Sequence, residues 1–344
     1  MSEGPQIIVL GGANIDIQGK SSLPYRPKDS NPGSLRFFPG GVGRNIAENL
    51  ARLGSRVELV TVLGDDEFSS ILESSCASVG IGLEGSLRPR GCPASGYVCL
   101  LDSDGGLVGA VSSMDSIEGL TPERLAERAE LLDAADLILL DANLSEASIA
   151  WLAARYPPGT KRPLLGFDPV SVKKAGRGKS SLASFAFAKP NRDEAALLAG
   201  FCPRNPGMPG PEPAELARGL RKAGLGEAFV SLGREGLWAE GPAEGAPANR
   251  ASSGLPEGGG QAWFARLPSR LPQGLEPVNA SGAGDAALAA IAWGRLRGMS
   301  LGERSALALA AAMLASGSES PVNPAMIAGR LLELAKGIER ERIS

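Results

Sequence analysis

Short runs of consecutive apolar residues alternate along the chain with segments whose apolar positions repeat every three to four residues. The apolar runs predict buried strands, and the helical spacing predicts amphipathic helices packed on them. The predicted strands cover residues 7–10, 57–63, 137–140, 164–168, 186–188 and 229–232. The predicted helices cover residues 40–53, 68–79, 194–198 and 286–296. This alternation predicts an α/β fold with a doubly wound, mostly parallel sheet flanked by helices.

Two segments interrupt the alternation. Residues 18–38 and 96–113 contain scattered glycine, serine and proline and have β character. In the second segment, two apolar stretches flank the sequence Asp-Ser-Asp-Gly-Gly at 102–106, which is typical of a hairpin turn. We expect the two segments to form a small β-sheet lid that projects from the main sheet. Ordinary surface hairpins are the alternative.

The length of 344 residues suits a single large α/β domain with an appendage, so we expect residues 1–344 to form one domain. Residues 241–260 are rich in glycine, proline, alanine and serine, which predicts a flexible insertion between two strands. A formal net charge of -3 with scattered arginines argues against a nucleic-acid partner.

The chain shows no apolar run long enough to cross a bilayer and no signal-peptide pattern at its N-terminus. Its four cysteines have no CxxC pairing, which is typical of reduced thiols. We therefore expect a cytoplasmic protein without membrane contact. Histidine is absent, which excludes Ser-His-Asp or Cys-His catalysis and His-ligated metals. The remaining chemistry rests on carboxylates, backbone dipoles, and Mg²⁺ held largely by phosphates and water.

The most informative segment is Asn-Ala-Ser-Gly-Ala-Gly-Asp at 279–285, directly before an alanine-rich helix. The backbone N–H groups of Gly282, Ala283 and Gly284 and the helix dipole suit an anion such as a phosphoryl group. Asp285 beside them is placed to accept a proton from an attacking hydroxyl. The segment therefore predicts ATP-dependent phosphorylation of an alcohol, with a plain helix-capping turn as the alternative.

Four further motifs accompany this segment. They are Gly-Ala-Asn-Ile-Asp at 12–16, Gly-Gly-Val-Gly-Arg-Asn-Ile-Ala at 40–47, Asn-Arg-Asp-Glu at 191–194 and Ser-Leu-Gly-Arg-Glu-Gly at 231–236. In this order and spacing, the five motifs resemble the ribokinase-like (PfkB) family of sugar and nucleoside kinases, over residues 7–334. The resemblance implies a ribokinase-like fold with ATP and Mg²⁺ as cofactors.

The first two motifs supply the candidate acceptor-binding residues. Asn14 and Asp16 offer an amide and a carboxylate that can hydrogen-bond adjacent ribosyl hydroxyls at the end of the first strand. Gly40 and Gly41 would let the backbone approach a bound sugar, and Asn45 could point its amide at the same hydroxyls. The resemblance implies that these residues line the sugar pocket. A turn and a helix cap are the structural alternatives.

The next two motifs supply the candidate nucleotide and metal residues. Asn191 and Glu194 lie three positions apart at a helix start and hence on one face. The resemblance implies that this pair organises Mg²⁺ and its waters beside the ATP phosphates; a solvated helix face is the alternative. It further implies that Ser231 and Gly233 lie beside ATP and that Gly236 lets the chain turn past it.

The sequence departs from the family pattern just before the anion-binding turn. Many relatives have Asp-Thr where this chain has Asn279-Ala280, in a region that helps to hold a monovalent cation. The resemblance thus implies K⁺ as a further cofactor, whereas Asn279, which carries no charge, argues against it.

Shorter strings at 30–35, 114–115, 120–123 and 320–324 resemble the branch of pseudouridine kinases, which phosphorylate the 5′-hydroxyl of that nucleoside. The branch would place Met114 and Asp115 near the base, with packing of Met114 in the lid as the alternative. A kinase for ribose, adenosine or another nucleoside remains open, as does a non-catalytic metabolite-binding protein. Relatives pair their lid sheets, so we expect a homodimer formed through the β lid.

Overall fold

The computed structural model describes residues 5–201, 210–243, 260–269, 271–272, 275–279 and 281–343. The strands are β1 (Gln6–Leu10), β2 (Asn14–Ser21), β3 (Gly33–Gly40), β4 (Arg56–Val60), β5 (Ile81–Gly82), β6 (Ser95–Leu101), β7 (Leu107–Ser113), β8 (Leu137–Asp141), β9 (Leu164–Asp168), β10 (Phe187–Ala188), β11 (Ala228–Ser231), β12 (Leu237–Pro242), β13 (Gly260–Arg266) and β14 (Glu339–Ile343). The helices are α1 (Val42–Arg52), α2 (Glu67–Ser78), α3 (Pro122–Ala126), α4 (Ala129–Asp133), α5 (Glu146–Arg155), α6 (Val172–Ala175), α7 (Arg192–Ala199), α8 (Pro213–Lys222), α9 (Ala283–Leu296), α10 (Leu301–Ser316) and α11 (Ala328–Lys336). Short 3-10 helices cover Asp115–Gly119, Gly176–Ser184 and Gly233–Glu235.

A ten-stranded sheet forms the centre of the molecule, in the order β14-β13-β12-β11-β10-β9-β8-β1-β4-β5. Its strands from β11 to β5 are parallel, and β12, β13 and β14 are antiparallel. Successive side chains of a strand point to opposite faces. Accordingly, Ile7 and Val9 of β1 join one buried cluster with α1, α9 and α10, whereas Ile8 and Leu10 join a second with α5, α7 and α8. The predicted doubly wound α/β fold is confirmed.

A second, four-stranded sheet has the order β3-β2-β6-β7 and is called the small sheet below. Its strands and the turns between them span residues 14–40 and 95–113. These two stretches include both segments in which the sequence predicts a lid. The sequence places Asn14 and Asp16 at the end of the first strand, and this placement is wrong. The turn at Gly11 and Gly12 ends the pairing of β1, and both polar residues belong to β2 of the small sheet.

The predicted insertion at 241–260 lies mostly outside the described residues, which stop at 243 and resume at 260. The strands on either side of it pair in antiparallel fashion, with Pro242 opposite Gly260. Within the described ranges, none of the helices combines the length and the apolar character needed to cross a membrane.

Candidate active site

A cavity of about 210 Å³ lies where several strands of the large sheet reach their carboxyl ends. In open parallel sheets this edge is the usual place for ligands. Asp168 ends β9, Lys189 follows β10, and Ser231 ends β11. The complete lining is Val42, Asp168, Val170, Lys189, Asn191, Glu194, Ser231, Gly284 and Asp285. The cavity thus brings together the predicted base, the predicted metal residues and one predicted ATP residue.

Helix α9 carries Asp285 into this cavity in its first turn. The helix begins after Gly282, which has a φ of 78°. A Cβ at this position would lie 1.9 Å from the Pro321 carbonyl oxygen, so only glycine fits the turn. The first N–H groups of a helix have no acceptor within the helix, and here they include Ala283 and Gly284. They are available to an anion beside Asp285.

The Asp285 carboxyl is buried, and its surroundings raise its pKa to about 7. Burial is the main cause, and the nearby carboxylates of Asp168 and Asp141 add to it. Asn45 Nδ2 donates to Asp285 Oδ2 over 2.8 Å, and this bond and the Lys189 ammonium both favour the ionised form. A carboxyl whose pKa lies near neutral pH is suited to act as a general base.

Asp141, the last residue of β8, was not predicted as a site residue. It accepts hydrogen bonds from the backbone N–H groups of Gly12, at 3.0 Å, and Asn143, at 2.8 Å. Burial raises its pKa to about 6. Asp141 thereby fixes the turn between β1 and β2 and adds negative charge below the cavity.

Asp168, the last residue of β9, was also missed as a site residue. It accepts the Val170 N–H at 2.7 Å. Val170 has a φ of 65°, which is strained for a β-branched residue, and the Ser171 N–H closes a three-residue turn on the Pro169 carbonyl at 2.7 Å. The Val170 N–H thus fixes the Asp168 carboxylate, which is near enough to Asp285 to raise its pKa. The overlooked signal was a carboxylate directly after a buried apolar strand.

Lys189 is the cation of the cavity and is buried. A Cβ built on Gly284 would lie 3.3 Å from Lys189 Nζ, which places the ammonium beside the first turn of α9. It also lowers the pKa of Glu194, which burial, as the larger effect, raises. The ammonium and the free N–H groups make this end of the cavity suitable for phosphate oxygens.

On the acceptor side, Asn14 Nδ2 donates to Asp16 Oδ1 over 2.6 Å. Burial raises the Asp16 pKa, and the Asn14 bond and the Arg44 guanidinium oppose this. A Cβ on Gly40 would lie 2.3 Å from Asp16 Oδ2, and one on Gly41, at a φ of 97°, would lie 2.5 Å from the Gly12 carbonyl. Gly40 therefore lets the chain pack against Asp16, and Gly41 lets it pack against the backbone of Gly12. Both reasons differ from the predicted approach to a sugar.

Three further predicted acceptor residues lie in distinct surroundings. The Asn45 amide already contacts Asp285 through Nδ2, and its Oδ1 accepts from Arg44 Nη1 at 3.2 Å. Met114 follows β7 and is half-buried, and Asp115 is exposed. Neither lines the cavity, although Asp115 is near enough to Lys174 to raise its pKa against the lowering caused by burial.

Asn191 and Glu194 form a capping box at the start of α7. Asn191 Oδ1 accepts the Glu194 N–H, and Glu194 Oε2 accepts the Asn191 N–H, each over 2.9 Å. The cap leaves Glu194 Oε1 for another partner, and this buried carboxylate lines the cavity. Within the described part of the chain no cluster of three or more acidic or cysteine side chains is placed to hold a metal. A buried carboxylate beside an amide fits a hydrated Mg²⁺ held mainly by phosphates, and Glu194 would then face waters of that ion.

Of the three remaining predicted ATP residues, only Ser231 lines the cavity. Its hydroxyl donates to the Pro190 carbonyl over 3.3 Å, and its N–H bonds the same oxygen. Gly233 and Gly236 lie in the 3-10 turn just beyond, both with positive φ. They shape the connection between β11 and β12 rather than the cavity wall.

Asn279 precedes the anion-binding turn, and Ala280 lies outside the described residues. Asn279 Oδ1 accepts the Ser281 N–H at 2.9 Å, and Nδ2 donates to the Glu319 carbonyl at 3.3 Å. Asn279 therefore supplies no carboxylate at this position, and both ends of its amide already bond within the protein.

Comparisons with known proteins identify the family. A model of the pfkB family of carbohydrate kinases matches residues 5–327. The chain is 30% identical over 343 residues to a pseudouridine kinase of Escherichia coli, with 98% of this chain and 99% of that protein covered.

Two solved structures share the fold. One is a carbohydrate kinase from Agrobacterium tumefaciens, with a TM-score of 0.79 and 26% identity over 98% of this chain and 100% of the other. The second is an Arabidopsis thaliana ribokinase complexed with ribose and ATP, with a TM-score of 0.73 and 21% identity over 97% of this chain and 99% of the other. With a family match along nearly the whole chain, the protein belongs to the pfkB family of carbohydrate kinases, which transfer a phosphoryl group to an alcohol.

Proposed function

We propose that this protein is an ATP- and Mg²⁺-dependent kinase that phosphorylates the 5′-hydroxyl of pseudouridine. The observation that carries the reaction is the position of Asp285, a buried carboxyl with a pKa of about 7 beside the free N–H groups of α9. The likeness to a pseudouridine kinase over nearly the full length supports the acceptor.

In the proposed step, Asp285 accepts the proton of the 5′-hydroxyl while the hydroxyl oxygen attacks the γ-phosphorus of ATP. An oxygen–phosphorus bond forms to the nucleoside, and the bond to the bridging oxygen of ADP breaks. The N–H groups of Gly282, Ala283 and Gly284, together with Lys189, hold the charge on the transferring group. Asn191 and Glu194 would hold Mg²⁺ through water, and the ion supplies charge neutralisation of the phosphates when bound.

The acceptor is proposed to lie between the large sheet and the small sheet. Asn14 and Asp16 stand at the base of the small sheet, adjacent to the turn that leads to Asn45. We propose that these three residues hold ribosyl hydroxyls, that Met114 and Asp115 approach the base, and that Ser231, Gly233 and Gly236 accommodate ATP. The small sheet then acts as a lid that excludes water, within one kinase domain that works in the cytoplasm.

The outer face of the small sheet supports a homodimer. Register places the following exposed apolar side chains on one face: Leu35, Phe37, Val98, Leu100 and Val111. Leu35 is 68% and Val111 71% exposed in the single chain, an unusual state for a contiguous apolar surface. A second copy of the same face would cover it through a two-fold interface.

Light scattering tests the dimer. The wild type should have the mass of two chains, and Phe37→Glu or Val111→Glu should reduce it to one. Ser112→Glu, on the opposite face of the same strand, is the matched control and should keep the wild-type mass. A single-chain mass for the wild type would refute the dimer.

The kinase reaction is tested by ADP release from Mg·ATP with pseudouridine, uridine, adenosine and ribose as separate acceptors. We expect the highest kcat/KM with pseudouridine, and a loss of about a hundredfold or more in kcat for Asp285→Ala with ATP binding retained. Glu146→Ala is the control, because it removes an exposed carboxylate from the first turn of α5, as Asp285→Ala removes a buried one from the first turn of α9. Preference for another acceptor would refute the pseudouridine assignment, and near-normal turnover of Asp285→Ala would refute the base.

A further inference from the structure

A buried arginine lies behind the proposed base without touching it. Arg44, in α1, is 4% exposed, and its guanidinium donates to four groups. Nη1 donates to the Pro39 carbonyl at 2.9 Å and to Asn45 Oδ1 at 3.2 Å. Nη2 donates to Ser75 Oγ at 2.9 Å and to the Glu48 carboxylate. The side chain therefore links α1 to α2 and to the end of β3.

Pairing with Glu48 does not by itself account for Arg44. Glu48 has a second partner, since Arg52 Nε donates to Glu48 Oε1 over 2.7 Å. Burying a guanidinium is costly, and a buried ion pair often contributes no more stability than apolar residues of the same volume. The guanidinium instead fixes the positions of the groups that it bonds, because its N–H donors lie in one rigid plane.

Among the four groups that accept hydrogen bonds from Arg44, the amide oxygen of Asn45 is the one that bears on the proposed base. An asparagine amide can be turned by 180°, which exchanges its oxygen with its nitrogen. The Arg44 donor stabilises the orientation in which the oxygen faces Arg44 and the nitrogen faces Asp285 Oδ2, at 2.8 Å. The reversed orientation would place an N–H group against the guanidinium and an oxygen against the carboxylate, and both contacts are repulsive.

We propose that Arg44 is a positioning residue, which fixes the amide of Asn45 so that this amide holds the Asp285 carboxylate in the direction required for proton transfer. This role rests on the proposed function, because it matters for turnover only if Asp285 is the base. Arg44 also donates to the carbonyl of Pro39, next to the last residue of β3. One side chain therefore contacts both the edge of the small sheet and the amide that holds the base.

The test separates this role from simple ion pairing. Arg44→Met alone would leave Glu48 with only one of its two cationic partners, so the informative variant is Arg44→Met with Glu48→Gln, compared with Glu48→Gln alone. We expect kcat to fall about tenfold to a hundredfold from this baseline, the effect of one hydrogen bond to a charged group, with the KM for ATP unchanged. Arg52→Met, which removes the other partner of Glu48, is the control and should keep the wild-type kcat.

A double-mutant cycle shows whether Arg44 acts through Asn45. Adding Asn45→Ala to the Arg44→Met and Glu48→Gln variant should lower kcat little further, because the amide has already lost its orientation toward Asp285. Equal kcat for that variant and its Glu48→Gln baseline, or a full additional loss from Asn45→Ala, would overturn the proposal.

Arg44→Lys is the second variant if the first fails to fold. It keeps a buried charge for Glu48, but a single ammonium cannot replace the planar fork. We expect a folded protein with a reduced kcat, and a wild-type kcat would overturn the proposal. Near-normal turnover of Asp285→Ala would overturn the proposed base and this role together, whereas an inactive Asp285→Ala with fully active Arg44 variants overturns this role alone.

Discussion

The pKa of Asp285 leads to a specific pH dependence of turnover. A general base must be ionised to accept a proton, and the kcat/KM profile reports the pKa values of the free enzyme. With a pKa of about 7, the ionised fraction rises from about one eleventh at pH 6 to about ten elevenths at pH 8. The kcat/KM for the acceptor should therefore increase about tenfold over this range.

The rise of kcat/KM between pH 6 and pH 8 is the acid limb of the pH profile. Two substitutions should move this acid limb in opposite directions. Asp168→Asn removes a negative neighbour that disfavours ionisation, so the limb should move to lower pH. Asn45→Ala removes the hydrogen bond that favours ionisation, so the limb should move to higher pH. The assay is ADP release at saturating Mg·ATP and limiting acceptor, from pH 5.5 to pH 9, with circular dichroism to show that each protein stays folded.

The opposite movements serve as the internal control, because ionisation of the nucleotide cannot depend on which side chain is replaced. A flat profile between pH 6 and pH 8 in the folded wild type would refute the reasoning. An acid limb that stays in place in both variants would show that it belongs to another group.

Three further predictions concern stability and binding. Asp285→Asn should raise the melting temperature at pH 8, because burial raises the pKa of the Asp285 carboxyl above its ordinary value and the folded state therefore loses stability as pH rises from about 4 to about 7. An equal effect at pH 4.5 in thermal melts would contradict this. Gly40→Ala should displace Asp16 and raise the acceptor KM about tenfold or more at an unchanged KM for ATP, and equal kinetics would show that Asp16 is not a contact. Glu194→Gln keeps the helix cap but should raise the Mg²⁺ concentration for half-maximal ADP release about tenfold. An unchanged Mg²⁺ titration would show that Glu194 does not help to bind the ion.

Much of the fold could be predicted because its strands are continuous apolar runs. β9 was predicted to the residue, since Leu164 to Asp168 is bounded by proline on both sides. β14 was missed because its sequence, Glu-Arg-Glu-Arg-Ile, is charged on both faces. It pairs only with β13 at the edge of the sheet, where charged side chains stay in water and discourage further pairing.

Part of the site was predictable for a different reason. Asp285 lies within a local motif, so its neighbours in the sequence revealed its chemistry. Asp141 and Asp168 belong to no such motif, and their proximity to Asp285 arises from the order of β8 and β9 in the sheet. The role proposed for Arg44 likewise depends on the contact between Asn45 and Asp285, which are 240 positions apart in the sequence and meet only in the fold.

The chain enters and leaves the small sheet at one end, along a single row of paired residues. Asn14 lies opposite both Gly40 and Ser95, and Gly96 lies opposite Ser113. The chain turns back at the far end, between β2 and β3 and again between β6 and β7. Adding or removing residues at those distant turns leaves the register of the attached row unchanged. Over evolution, the outer part of this sheet can therefore change its length and its partners while the residues around Asp16 are inherited intact, so assembly and acceptor chemistry can diverge separately.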